Sequence, residues 1–336
     1  MANTYHLYLR PGIPVIEKAG GLHKFMAWPG ALMTDSGGYQ IFSLAKLRKL
    51  SDQGVVFRSH VDGSQHLLTP ELAIKFQESL GADIITVLDE CPAPTETPER
   101  VREAMERTHR WAERCLRAKT RHDQALFTII QGGLSPELRS KSASFLNSLD
   151  FSGYAIGGLS LGEPKALTNT IVSETVARLP EDKPRHLMGV GSPEDIVEGV
   201  SRGIDIFDSA LPTQVARKGA LYTRQGRHNI RNSAYRQKDA PFDPNCNCYT
   251  CRNFSAAYLH HLFQSQELLA YRLATIHNLH FITKLTETIR EAILSGSFSS
   301  FKDDFVSHYQ PADAEVRAIQ RQKWLAAQNR KRLDLP

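Results

Sequence analysis

The chain has 336 residues, 41 Lys and Arg against 36 Asp and Glu, a net charge of +5 and 41% hydrophobic residues. That is enough for a sizeable core, either one large α/β barrel with an appendage or two ordinary domains. It excludes a disordered chain, a collagen and a disulfide-rich miniprotein. No apolar run approaches the roughly 18 residues of a membrane span, and no signal-peptide pattern opens the chain. Five cysteines, three of them clustered, do not suit a secreted disulfide framework, so a cytoplasmic protein is expected.

Six short apolar runs end in polar or glycine residues: 31–36, 83–89, 125–131, 154–160, 185–190 and 204–210. Apolar at nearly every position, they suit strands buried on both faces. Between them stand four helix starts of one kind, Thr69-Pro70-Glu71, Thr97-Pro98-Glu99, Ser135-Pro136-Glu137 and Ser192-Pro193-Glu194. Each offers a hydroxyl cap, a proline at the first helical position and a carboxylate against the helix dipole. Strand alternating with helix predicts a parallel sheet, either doubly wound or a (β/α)8 barrel. Alternation around Asp62-Gly63 predicts a β-hairpin inserted over 55–68. After Ala210 the rhythm breaks. The segment 217–252 holds eight Lys and Arg against two Asp and Glu, more than the net charge of the whole chain. Interleaved Tyr222, His228, Tyr235 and Tyr249 could stack on bases, so a polyanion such as RNA is a candidate partner. The last 35 or so residues, with Arg317, Arg321, Lys323 and the basic run 330–332, predict an exposed helix and tail.

Asp35, Asp89, Gln131, Gly157-Gly158, Gly191 and Asp208 all fall at the C-terminal ends of predicted strands, the functional face of a parallel α/β enzyme. A single polar residue there is often a helix cap. Several carboxylates are harder to explain structurally, because buried like charges repel. The segment Asp35-Ser36-Gly37-Gly38-Tyr39-Gln40 adds glycines that let a ligand approach the backbone and a tyrosine that can stack. Cys246, Cys248 and Cys251 supply three thiolates within six residues, and a tetrahedral site needs one more ligand. His260, His261, His277 and His280 are the candidates. His277 lies four residues after Leu273, on the same side of a probable helix; spacing alone does not choose among the four. Three Cys and one His would close a structural zinc site. Cys115 reads as a packed helix residue.

The chain resembles the tRNA-guanine transglycosylases, in particular their bacterial branch. The resemblance covers nearly the whole chain. It rests on AsnThrTyrHisLeuTyrLeuArgProGly (3–12), AspSerGlyGlyTyrGln (35–40), LeuAspGluCys (88–91), GlnGlyGly (131–133), GlyGlyLeuSerLeuGlyGlu (157–163), LeuMetGlyValGly (187–191), PheAspSerAlaLeuProThr (207–213) and the cysteine cluster with His277. It implies a (β/α)8 TIM barrel, here over 1–220 and 279–336, with an inserted zinc-binding, basic, tRNA-contacting subdomain over 221–278. One structural zinc would be held by Cys246, Cys248, Cys251 and His277. The implied reaction replaces guanine at wobble position 34 of the tRNAs for Asp, Asn, His and Tyr (GUN anticodons). The incoming base is the 7-deazaguanine preQ1, a step in queuosine biosynthesis, and the enzyme is a homodimer.

In that pattern Asp208 is the nucleophile that displaces guanine and forms a covalent ribosyl-enzyme, and Asp35 is the proton acceptor for the incoming base. Ser36, Gly37 and Gly38 belong to the substrate loop. Asp89, Gln131 and Gly158 hydrogen-bond the ring edge, the Leu159 carbonyl accepts from the aminomethyl group, and Tyr39 and Met188 sandwich the ring. RNA contacts fall on Gly189, Val190, Gly191, Ser192, Pro193, Glu194 and Asp195, and on Thr213, Gln214, Val215, Ala216 and Arg217. Three departures stand out. Family members carry several dozen residues before the AsnThrTyrHis motif, so the first barrel strand is expected to be missing. ThrGlnValAlaArg (213–217) replaces the usual ThrArgAsnAlaArg. Leu161 stands where bacterial members have a smaller aliphatic residue and queuine-using eukaryotic members have glycine. A catalytically silent tRNA-binding paralogue is the alternative, against which the retention of Asp35 and Asp208 speaks. An unrelated zinc-stabilised barrel enzyme would have no use for the basic segment.

Overall fold

The computed structural model describes residues 1–44 and 48–311; the basic helix and tail expected near the C-terminus lie outside them. The described residues form two compact units, one of 1–188 with 202–206, the other of 189–201 with 207–311.

The first unit opens with β1 (Ala2–Asn3), the short helices α1 (Thr4–Leu9), α2 (Ile13–Lys18) and α3 (Leu22–Met26), then β2 (Thr34–Asp35) and α4 (Gly38–Leu44). Next come β3 (Arg48–Ser51), β4 (Gly54–Arg58) and β5 (Gln65–Leu68). The alternating part follows: α5 (Pro70–Leu80), β6 (Ile84–Thr86), α6 (Pro98–Ala118), β7 (Ala125–Ile130), α7 (Pro136–Asn147), β8 (Gly153–Ile156), α8 (Lys165–Val176) and β9 (Arg185–Leu187). Strand β1 pairs parallel with β2, and a parallel bridge between Met33 and Ile84 leads on to β6. Strands β6, β7, β8 and β9 pair parallel in chain order, with β10 (Ile206–Phe207), where one unit gives way to the other, next in the same sheet. A doubly wound sheet reverses its strand order at a switch point. This order never reverses among the described residues. It is the curled wall of a (β/α) barrel, and it decides between the two predicted architectures.

All four predicted helix starts form as capped N-termini. Thr69, Thr97, Ser135 and Ser192 each accept from the N–H three residues on, with proline at the first helical position. The strands are shorter than the apolar runs that announce them, because their last residues leave the ladder for side-chain partners. After β6, for example, the Glu90 N–H donates to Thr108 Oγ1 of α6 at 3.0 Å. Ile85, Leu126, Ile129 and Ile130 of the sheet join Ile74, Leu80, Trp111, Ala112, Ala143 and Leu146 in one buried core.

The predicted hairpin is β4–β5, and β3 adds an unexpected third antiparallel strand. Its Arg-Lys-Leu-Ser sequence shows only Leu50 half-buried, so it carries no apolar alternation to read. Helix α6 anchors this sheet. Arg110 pairs with Asp52 at 2.7 Å and Arg114 Nη2 donates to the Gln53 carbonyl at 3.1 Å, both in the β3–β4 turn, while Arg114 also holds Glu71 of α5 through Nε and Nη2, both at 2.7 Å.

The second unit holds α9 (Pro193–Val200), α10 (Leu211–Arg217), an antiparallel hairpin of β11 (Ala220–Thr223) and β12 (Gly226–Asn229), α11 (Tyr249–Asn253), α12 (Ala256–Gln264), the 27-residue α13 (Leu268–Leu294) and α14 (Phe298–His308). One cluster packs Leu221, Ile230, Phe242, Leu259, Phe263 and Leu273; another packs Ile196, Val197, Leu285, Ile289 and Phe305. Fully buried Asn278 ties α13 to the hairpin: it accepts from Tyr222 N–H and donates to the carbonyls of Pro212 and Ala220.

Gln77 of α5 holds the strands that carry the first two carboxylates. Fully buried, it accepts from Thr34 Oγ1 and Thr86 N–H and donates to the carbonyls of Ala73 and Thr86. Gln77→Leu keeps the volume but strands those partners, and a buried unpaired polar group costs about 1–3 kcal/mol. Chemical denaturation should show Gln77→Leu losing about 2–4 kcal/mol, clearly more than the roughly 1 kcal/mol of removing a cap with Thr69→Ala.

Candidate active site and metal centre

The first unit brings most of the predicted ring-binding residues to one end of its strands. Asp35 closes β2 and is almost fully buried. Asn3 Nδ2 donates to its Oδ2 at 2.6 Å, the Thr4 N–H donates to its Oδ1 at 3.2 Å, and Thr4 Oγ1 donates to its carbonyl. The AsnThr of the opening motif therefore fixes the orientation of this carboxylate, a role its sequence position did not disclose. Gly37, at φ +84°, has no room for a Cβ, which would meet Tyr5 N at 2.8 Å. Tyr39 follows on α4 with two-fifths of its surface exposed.

Asp89 and Gln131, after β6 and β7, are buried and in contact, with Gln131 Nε2 donating to Asp89 Oδ2 at 2.7 Å. This leaves Gln131 Oε1 buried without a partner among the described residues. Burial pushes the Asp89 carboxyl up to about 6; the bond from Gln131 pulls it down and the Glu90 charge pushes it up. Glu90 itself is clamped by Arg100 and Arg107 of α6, a pair missed in the sequence. Gly158, at φ +68°, lies against Gln131: a Cβ there would sit 2.6 Å from Oε1. Leu159 is buried and Met188 half-buried. Asp89, Gln131 and Gly158 are thus one contiguous group offering acceptors, an amide and a main-chain N–H. That complements the edge of a planar heterocycle bearing both ring N–H donors and a carbonyl. Cys91 is a thiol beside this group, pushed up to about 12 by burial and by the Asp89 charge, and so is not a nucleophile. Cys115 is buried in α6, as read from the sequence.

The second unit carries Asp208 and the predicted RNA contacts. The Gly189 N–H donates to Asp208 Oδ1 at 3.1 Å. A Cβ on Gly191 would meet Ser209 Cβ at 2.4 Å, so only glycine lets the strand-end loop pass this close to the residue after Asp208. Of 189–195, Gly189 is exposed, Val190, Gly191, Ser192 and Pro193 are buried, and Glu194 and Asp195 are half-buried; Ser192 is spent on capping α9. In α10, Gln214 and Arg217 share the exposed face, Thr213 is half-buried, and Val215 and Ala216 are buried. The basic segment needs one correction: Tyr222 is buried in the hairpin and cannot stack on a base, whereas Tyr249 is exposed. Arg231 lies over Phe263, 5.3 Å from its centroid.

Cys246, Cys248, Cys251 and His277 place their ligand atoms within 4.8 Å of one another. His277 Nδ1 lies 3.7, 3.6 and 3.3 Å from the three sulfurs. Zinc–ligand bonds at tetrahedral angles imply about 3.6 Å between nitrogen and sulfur, so the donor set fits a tetrahedral ion. His277 Nε2 lies 2.7 Å from the Tyr222 carbonyl, the outer-sphere partner that sets the tautomer and leaves Nδ1 for metal. The other histidines are elsewhere: His280 meets Asn247 Oδ1 and His260 the Ile230 carbonyl. Three thiols this close cannot all ionise unaided. Hydrogen bonds from Cys246 and Cys251 hold Cys248 low, while Cys246 and Cys248 push Cys251 high. A divalent cation removes that conflict. With four protein ligands the site is closed, and its contribution is to folding.

Dialysis against a chelator that leaves the parent loaded should strip zinc from His277→Ala and lower its melting temperature, while His280→Ala should keep its metal. The Asp89 carboxylate, and with it an acceptor that ring N–H groups could use, is lost as pH falls through about 6. Affinity for free guanine, measured by calorimetry, should therefore drop about tenfold per pH unit below that value. In Asp89→Asn, binding should be weak and the limb absent. The same raised value costs stability as pH rises from about 3.8 to about 6, where the folded chain gives up a proton it holds more tightly than the unfolded one.

Two comparisons bear on what such a constellation belongs to. The family profile of queuine tRNA-ribosyltransferase matches residues 1–311. A queuine tRNA-ribosyltransferase of Dehalococcoides mccartyi (strain BAV1) is 62% identical over 329 residues, 98% of this chain and 84% of that protein. Proteins of the same name from Moorella thermoacetica and Herpetosiphon aurantiacus are 55% and 54% identical, over 92% and 96% of this chain and 83% and 82% of theirs. The motifs, the barrel-type sheet, the three-cysteine, one-histidine cluster and these matches agree: the chain belongs to the queuine tRNA-ribosyltransferase family.

Proposed function

We propose that this protein is a tRNA-guanine transglycosylase that exchanges guanine at the wobble position of tRNAs with GUN anticodons for preQ1. The single observation that carries the reading is the buried Asp89–Gln131 pair beside Gly158, a group of acceptors and donors suited to a guanine-like edge. Asp208 attacks the anomeric carbon of the ribose; its bond to N9 of guanine breaks, the base leaves, and a ribosyl ester forms on the enzyme. Asp35, oriented by Asn3 and Thr4, takes the N9 proton of the incoming base, whose nitrogen then displaces Asp208 and restores the glycosidic bond with retained configuration. The nucleotide must leave its stack to reach such a pocket. Tyr39 and Met188 supply its apolar walls. The zinc, held by Cys246, Cys248, Cys251 and His277, stabilises the fold of the 221–278 segment, and no step passes through it.

Exposed Gln214 and Arg217 and the basic segment supply the RNA face. Leu161 fills the space that a glycine there would leave for the cyclopentenediol of queuine, and overpacking a rigid pocket costs about 1–3 kcal/mol. The enzyme acts in the cytoplasm as a homodimer; no described helix is long and apolar enough to cross a membrane.

Incorporation of labelled guanine into unmodified tRNA tests the reading. The parent protein should exchange base, and preQ1 should outcompete queuine. Asp208→Asn should lose exchange by at least about a thousandfold, the scale of removing a covalent nucleophile, and form no covalent adduct while keeping tRNA affinity. tRNA binding without exchange by the parent would instead favour a silent paralogue.

A further inference from the structure

Arg139 is a charged residue that the mechanism above does not use. It lies on α7 among Leu138, Ser142, Ala143 and Leu146, and is 1% exposed. Its hydrogen bonds go to main-chain carbonyls, and among the described residues none reaches a carboxylate. Nε donates to Gly133 at 2.8 Å, Nη1 to Ile130 at 3.4 Å and Nη2 to Gly157 at 2.8 Å. The Glu163 charge favours the guanidinium without a hydrogen bond to it; burying a guanidinium with no hydrogen-bonded carboxylate is expensive, and a neutral side chain or apolar packing could join two strands at less cost. The carbonyls it holds belong to the two strand-end loops that carry Gln131 and Gly158.

The geometry points to Arg139 as a positioning residue that aims the Gly158 N–H at the carbonyl oxygen of the bound base. Across a trans peptide the C=O and N–H point in opposite directions. Nη2 on the Gly157 carbonyl therefore turns the N–H of the same peptide, that of Gly158, the other way. The far side of Gly157 is pinned as well, its N–H donating to the Ile130 carbonyl at 3.2 Å. Gly158 can follow this path because it carries no side chain: its φ is +68°, and a Cβ would collide with Gln131 Oε1. The planar fork spans both loops at once, which a lysine ammonium cannot do. A full positive charge on the carbonyl also polarises the peptide and strengthens its N–H as a donor. Burial lowers the guanidinium to about 10, so the charge is retained at neutral pH. Asp89 accepts from the ring N–H groups, so the donor on Gly158 is left to read the 6-oxo group.

This inference rests on the guanine-site reading, and the experiment separates the two. Binding of guanine and of 2-aminopurine, which lacks the 6-oxygen and with it the N1 hydrogen, is measured on zinc-loaded protein; the N1 loss is common to parent and variants and drops out of the comparison between them. A site built to hydrogen-bond a group rejects the analogue that lacks it, so the parent should prefer guanine strongly. In Arg139→Met that preference should shrink about tenfold, the scale of one charge-assisted hydrogen bond, while tRNA affinity and zinc content stay unchanged. Arg139→Lys, which keeps the charge but not the fork, should lose preference about threefold, and it decides the matter alone if Arg139→Met does not fold. A parent without preference would sink the guanine-site reading. A parent with preference that both folded variants retain, even at lowered melting temperature, would overturn the role of Arg139 and leave that reading standing.

Discussion

A carboxylate buried at the end of a parallel strand has to be met by donors, and that demand organises the first unit. Asp89 is met by the Gln131 amide, Asp35 by the Asn3 amide and the Thr4 N–H. Each donor must itself be fixed, since a free side chain would pay its rotamer entropy at every binding event. Gln131 is wedged between Asp89 and the glycines at 157 and 158, either of which would strike it if it carried a Cβ. The Asp89 loop is held in turn through Glu90 by two arginines of α6. The cost of burying charge is thus distributed over a chain of partners, and every link constrains the next. Among the described residues Gln131 Oε1 is left without a partner, as are Arg100 Nη1 and Arg107 Nε behind it; of these, only Gln131 Oε1 lies within the Asp89–Gly158 group.

The second unit meets a similar demand by different means. It is built around short elements, a four-residue-per-strand hairpin and a five-residue helix, that bury little apolar surface of their own. A cross-link among Cys246, Cys248, Cys251 and His277 joins the helix Tyr249–Asn253 to the long helix Leu268–Leu294, and His277 reaches on to the hairpin through Tyr222. Asn278, the next residue, repeats the tie with three hydrogen bonds. One turn of the long helix therefore carries both the metal ligand and the main polar lock. A helix N-cap belongs to the same local economy: the Cys248 sulfur accepts from the Cys251 N–H, so a metal ligand also caps the helix.

What could be read in advance follows from how local the signal is. Capped helix starts are local, and Thr69, Thr97, Ser135 and Ser192 formed as written. Apolar runs announced every long parallel strand but overstated its length, because a strand ends where its side chains find partners across the sheet, and Thr108 or Gln131 cannot be paired with β6 from spacing alone. The edge strand Arg48–Ser51 had no alternation to show. Spacing made the three cysteines legible but not the histidine, which the family motif alone supplied, since His277 and His280 lie on one helix and only the fold separates the buried ring from the half-buried one. Tyr222 misled for a related reason: in a segment rich in arginine, composition cannot tell a tyrosine that faces RNA from one that fills the hairpin. Arg139 did leave a trace, an arginine on the helix stripe that otherwise holds Leu138, Ser142, Ala143 and Leu146, where small neighbours make room for a guanidinium.

That trace bears on what a basic composition means. Counting Lys and Arg treats each as a charge available to a polyanion, but many arginines here are spent on the backbone. Arg114 donates to the carbonyl of Gln53, Arg121 to that of Glu78, Arg185 to that of Pro180 and Arg139 to three more. These groups brace loops and contribute little to a field felt by phosphate, because their charge is committed at short range and several sit beside acids such as Glu71 and Asp123. Arg224, by contrast, lies on the surface and among the described residues pairs with Asp304, and Gln214 and Arg217 point out from a helix whose other face is buried. An exposed ion pair is worth little and exchanges readily for a phosphate. Within 217–252 the same distinction holds: Arg252 donates to the Asn247 carbonyl and Lys238 to that of Phe242, so in the proposed function Arg217 and Arg224, not the segment's whole charge, are the groups open to phosphate. The arginines of α6 and α7 belong instead to the account of how a buried carboxylate and a main-chain N–H are kept in place.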